Sequence, residues 1–121
     1  MKRTAINPWA WSVPLGYNQG EVIEGAVRHL TCAGQTAVDG QGAPQHLGDM
    51  RAQMGLALDN LEKVLASAGM SRAHVRRLGI FATDVEAALR NFDLLGERFG
   101  AQNAAPPMTL LGVSRLAIPG L

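Results

Sequence analysis

The chain has 121 residues and a formal net charge of +1, from eleven basic and ten acidic side chains. Its 47% apolar and 17% charged content excludes a disordered chain, and no apolar run approaches the ~20 residues of a membrane span. The near balance of charge argues against nucleic acid as a partner, because phosphate binding draws on clustered cations.

The length suits one domain, residues 1–121, with an ordinary core. At the amino terminus Lys2 and Arg3 are not followed by the apolar stretch of a secretory signal. The single cysteine, Cys32, allows no internal disulfide, so the expected compartment is the cytoplasm. Residues 7–20, NPWAWSVPLGYNQG, hold both tryptophans and the only tyrosine among prolines and glycines that predict no regular element.

Residues 21–34 read as a hairpin turning at Glu24-Gly25. Residues 35–49 are turn formers without periodicity, a surface loop that lacks the lysine and spacing of a phosphate loop. From Asp49 the pattern becomes helical. Met50, Met54, Leu58, Leu61 and Leu65 share a stripe over about 50–68, with Asp49 as N-cap and Gly69 beyond the end.

Residues 74–84 predict a strand carrying Val75, Leu78, Ile80 and Phe81. Thr83-Asp84-Val85-Glu86 has the form of a capping box, opening a second helix with Leu89, Phe92, Leu95 and Phe99 inward and Gly100 at its close. A last strand, 106–117, is entered through two prolines. The order β-β-α-β-α-β predicts an α+β fold, a mixed sheet with two helices on one face. The other face is left open, and apolar residues there predict burial against a further subunit.

Five segments in order resemble the Rid/YjgF family, proteins that hydrolyse reactive enamines and imines. They are Gly16-Tyr17-Asn18-Gln19, Ala33-Gly34-Gln35, Ala57-Leu58-Asp59-Asn60-Leu61, Phe81-Ala82-Thr83-Asp84 and Pro106-Pro107-Met108-Thr109. The resemblance implies a chorismate-mutase-like fold, a homotrimer whose sheets join into a barrel, and small-molecule clefts at the subunit interfaces. It also implies no metal and no organic cofactor.

Two departures bear on function. Deaminating members have, at the position of Met108, an arginine that clamps the substrate carboxylate, a pairing no thioether makes. They also carry a glutamate on a further strand after the Pro-Gly turn; here the sequence stops at Leu121, so that strand is expected to be truncated or absent. Arg115 lies seven positions after Met108 and, in an unbulged strand, points to the opposite face, which argues against a replacement.

The resemblance makes Tyr17 the candidate catalytic residue, holding a ligand or water through its hydroxyl. Substrate-binding candidates are Gly34, by close backbone approach, Asn60, Met108, Thr109 and Trp11. Asn60 also suits a purely structural hydrogen bond, and capping accounts for Thr83 and Asp84. Cys32 reads as a small core residue, and His29, His46 and His74 lack metal-ligand spacing. The expected activity is cofactor-free hydrolysis of an imine or enamine other than a simple amino-acid-derived imino acid. The competing expectation is a non-catalytic trimer that binds a metabolite or partner in the same clefts.

Overall fold

A computed structural model describes residues 1–100 and 105–121 of the chain. Its longest element, helix α1 (Met50–Ser67), forms where the periodicity predicts it. Asp49 caps the start, accepting from the Ala52 amide at 3.0 Å. At the far end the Met70 amide donates to the Leu65 carbonyl and the Gly69 amide to Ala66, a closure that needs the positive φ of 70° at Gly69. Leu58 and Leu65 are the buried members of the stripe.

A 3₁₀ turn, Arg72–His74, leads into strand β3 (Leu78–Ala82), shorter than the predicted 74–84. The following helix begins at Val85, capped by Asp84, whose carboxylate accepts from the Ala87 amide at 3.0 Å. The predicted capping box therefore does not form: the cap falls one residue later, and Ala87 at the reciprocal position has no polar side chain to answer it. Asp84 takes the cap because a carboxylate is the stronger acceptor for helix-end amides. The predicted single helix is also divided, into α2 (Val85–Arg90) and α3 (Asp93–Phe99). At the break the Asn91 side-chain amide donates back to the Ala87 carbonyl at 2.8 Å, which competes with helix continuation.

Strand β4 (Met108–Gly112) pairs parallel to β3, with Leu78 opposite Met108 and Phe81 opposite Leu111. Parallel neighbours require a crossover, and α2 and α3 supply it. The predicted strand 106–117 ends at Gly112, so Arg115 lies beyond β4 and the parity argument placing it on the opposite face does not apply.

The amino-terminal half departs furthest from expectation. Strand β2 (Gly20–Glu24) does not turn back on residues 26–34, which carry no regular element; it pairs antiparallel with β1 (Lys2–Ile6). The Arg3 guanidinium explains the choice of partner. It bonds Glu21 at 2.9 Å and donates to the carbonyls of Ala73 and Val75, fastening the β1–β2 ribbon to the entrance of β3. No residue on 26–34 makes a comparable anchor to β2 among the hydrogen bonds of the described residues.

The fold is thus α+β with both strand orientations, in an antiparallel and a parallel pair. Leu58 of α1 and Leu95 and Phe99 of α3 form the core cluster against Leu78, Ile80 and Met108, so both helices cover one face of the β3–β4 pair. The opposite face carries Phe81 and Leu111, 58% and 51% exposed and directly paired in register. An open apolar sheet face is what the order of elements predicts.

Candidate functional site

Residues 7–20 are not an irregular loop. Ala10–Leu15 form a 3₁₀ turn with Pro14 inside it, which its short length tolerates because few of its amides have partners to lose. Gly16 ends the turn at φ 91°, with its amide donating to the Val13 carbonyl at 3.1 Å. A Cβ at Gly16 would lie 3.3 Å from the Gly96 Cα, so the turn sits on the backbone of α3 itself. Gly16→Ala is expected to cost about 1–2 kcal/mol from the left-handed conformation alone and to displace Tyr17. Urea unfolding and the quenching of Trp11 and Tyr17 fluorescence check it.

The next residues are held just as specifically. The Asn7 amide donates to the Asn18 side-chain oxygen at 2.9 Å, and the Asn18 amide to the Ala105 carbonyl at 2.8 Å. The amino-terminal segment is thereby tied to the chain entering β4. Trp11 meets Tyr17 edge to face, ring centroids 6.1 Å apart at 79°. The buried Ser12 hydroxyl and the Gln19 side-chain nitrogen are left without protein partners in this stretch, among the described residues.

Tyr17 then faces a cleft of about 520 Å³, within the range of small-molecule sites. Pro14 and Leu15 form one wall with Tyr17; Leu89, Phe92, Asp93 and Gly96 of the helical crossover form another. Met108 and Leu110, alternate residues of β4, make the floor. No arginine lines it among the described residues.

Asp93 is the one charged side chain among the described lining residues. Arg51, from the first turn of α1, grips both its oxygens at 2.9 and 2.8 Å. The hydrogen bonds from Arg51 hold the Asp93 carboxyl below its ordinary range, and the same pairing raises the Arg51 guanidinium. The carboxylate is therefore ionised at neutral pH.

The structure brings together Tyr17 and Met108 in one cleft, and Trp11 touches Tyr17 edge to face without lining it. Thr109 is exposed on the other face of β4, and Gly34 lies in the segment without regular structure. Asn60 donates to the Thr36 and Val38 carbonyls at 3.0 and 2.9 Å, holding the loop that follows Gly34. It borders a separate polar depression of about 590 Å³ with Asp39, His46 and Lys63. Sequence reasoning missed Asp93 and Leu15. In the sequence Asp93 reads as a polar residue inside the single predicted helix, and only its pairing with Arg51 distinguishes it. Among the described residues no cluster of His, Cys, Asp or Glu is placed to hold a metal, and no helix is long and apolar enough to cross a membrane.

Residues 12–121 match the family model described as Endoribonuclease L-PSP. The chain is similar to YyfB of the conserved Rid protein family from Yersinia pestis, with 33% identity, TM-score 0.82, and coverage of 99% of this chain and 92% of that one. The protein YJGH is 28% identical, with TM-score 0.65 over 97% and 88% of the two chains. A member of the YjgF/YER057c/UK114 family from Mycobacterium tuberculosis, 23% identical, shares the fold at TM-score 0.62 over 98% and 91%. No match was found among curated proteins.

Proposed function

Because the chain belongs to the Rid/YjgF family, the group described by the endoribonuclease L-PSP model, we propose that it hydrolyses a reactive imine or enamine without a cofactor. Water adds to the carbon of the C=N bond, the C–N bond breaks, and a carbonyl compound and ammonia leave. The observation that carries this reading is the convergence of Tyr17 and Met108 on one cleft with a hydroxyl at one wall and an apolar floor. Tyr17 orients the water or the nitrogen, and the enclosed walls hold the reacting atoms together, which is most of what so labile a bond needs. Trp11 supports the Tyr17 ring through its edge-to-face contact.

Met108 separates this cleft from one that grips a carboxylate, so the substrate is not a simple amino-acid-derived imino acid. Asn60 acts by holding residues 36–38 and so the approach past Gly34. Thr109, Phe81 and Leu111 occupy the open sheet face, which a second and a third copy would cover in a homotrimer; Thr109, across β4 from Met108, then belongs to that contact. RNA cleavage is the weaker reading, because among the described residues the cleft presents a carboxylate and no lining cation to a phosphodiester.

Ammonia release from freshly generated 2-aminoacrylate and 2-iminobutyrate tests the reading, with wild type beside Met108→Arg. The arginine is expected to raise turnover of both acids about tenfold or more, since a charge-assisted pair contributes about 1.5–3 kcal/mol. Circular dichroism shows whether the variant folds. No acceleration by either protein, on these or on carboxylate-free imines, leaves a binding protein instead of an enzyme. Light scattering is expected to give three times the mass of the 12.8 kDa chain; a monomer overturns the homotrimer.

A further inference from the structure

We infer that the cleft selects a cationic, carboxylate-free imine, the protonated product of oxidising a primary amine, and that Asp93 is the residue that sets this selectivity. The inference rests on the hydrolytic reading above and names its substrate class.

Charge in the cleft carries the argument. In place of a basic clamp the walls present one carboxylate among Leu15, Leu89, Phe92, Met108 and Leu110. A substrate carboxylate entering this space meets an apolar floor and a like charge. A protonated imine meets an opposite charge, and Tyr17 and Phe92 have π systems that attract cations.

Arg51 does not cancel this preference, because of where it stands. It contributes nothing to the cleft lining and approaches Asp93 from the α1 side, with Asn91 accepting from the same guanidinium at 3.3 Å. A carboxylate has about four lone-pair sites and the guanidinium takes two, so the carboxylate is oriented and ionised yet still able to accept from a ligand N–H. Asp93 remains half exposed. Asp93 is a positioning and specificity residue; the hydrolytic step belongs to the water.

The chemistry balances with what the proposal names. The cation R–CH=NH₂⁺ accepts a water oxygen at carbon, the two water protons pass to the nitrogen, and the C–N bond breaks with its electron pair on nitrogen. The products are R–CHO and NH₄⁺, with the positive charge conserved. The enzyme class that must supply such a substrate is one that oxidises primary amines to imines.

Two arms test the inference. In the first, calorimetry compares butylammonium with butyrate, equal-length probes of opposite charge, on wild type, Asp93→Asn and Arg51→Gln. Wild type is expected to prefer butylammonium at least tenfold. Asp93→Asn is expected to lose about tenfold of that preference and Arg51→Gln to enlarge it, because the unpaired carboxylate then acts alone. A merely structural role would move both variants in the same direction and would overturn the assignment, as would equal or stronger binding of butyrate, or binding of neither.

In the second arm, ammonia release is followed from butan-1-imine, made in situ from butylamine by a flavin-dependent amine oxidase, and from 2-iminobutyrate. Faster turnover of butan-1-imine supports the inference. Faster turnover of 2-iminobutyrate overturns it and leaves imine hydrolysis standing. Cation preference in the first arm with turnover of neither imine overturns hydrolysis and, with it, the substrate assignment, while retaining Asp93 as the determinant of charge in the cleft.

Discussion

Arg3→Met is expected to destabilise the protein by about 3–5 kcal/mol, the largest effect of any single polar substitution here. The Arg3 and Glu21 side chains are 15% and 5% exposed, so the methionine leaves a buried carboxylate without its partner. It also strips the carbonyls of Ala73 and Val75 of their donor. Because the same guanidinium fastens β1–β2 to β3, the loss should loosen the amino-terminal ribbon as a unit. Equilibrium urea unfolding followed by tryptophan fluorescence measures the cost. Replacing both partners, Arg3→Met with Glu21→Leu, is expected to recover much of it, since the orphaned charge is gone. A double variant as unstable as the single one would place the cost in the lost carbonyl bonds.

Phe99→Ala is expected to cost about 3–5 kcal/mol, a large share of the ~5–15 kcal/mol that holds a domain of this kind together. Phe99 is 1% exposed and sits between Leu58 and Leu95, where α1 and α3 meet the β3–β4 pair. Truncation removes the transfer term of a full aromatic side chain and leaves a cavity bounded by three elements that cannot all close on it. Urea midpoints give the size, and Phe99→Leu is expected to lose less than half as much because it keeps most of the volume. A loss below about 1 kcal/mol for the alanine variant would mean that the cluster is not the core.

The contrast between α1 and the amino-terminal ribbon shows what a sequence discloses. Every determinant of α1 is local: a capping aspartate, a stripe at helical spacing and a glycine at the end. β1 has no such signature, because it is held by a guanidinium that reaches residues 18, 70 and 72 positions away. The split between α2 and α3 is hidden for another reason. Leu89, Phe92, Leu95 and Phe99 keep a helical rhythm across it, and the cause is a single amide turned back on Ala87.

The site divides in the same way. Tyr17 and Met108 could be named from short segments that resemble those of a known family, although 91 positions separate them in the chain. The cleft between them also depends on Asp93, whose orientation is set by an arginine 42 residues earlier. Its acidic character is plain in the sequence; its position beside the cleft is a product of folding. Gly16 shows an intermediate case: a glycine in a turn is easily foreseen, but not that it lies against Gly96 of a helix near the other end of the chain.

Met108 belongs at once to the floor of the cleft and to the shell around Leu58, Leu95 and Phe99. A ligand in the cleft therefore rests on a side chain that also packs against the core. A compound that fills the cleft and binds only the folded chain, at one hundred times its dissociation constant, adds about 2.7 kcal/mol to unfolding. The melting temperature is thus a reporter for the substrate search, one that registers molecules whose products give no colour and releases the choice of candidates from any assumed reaction.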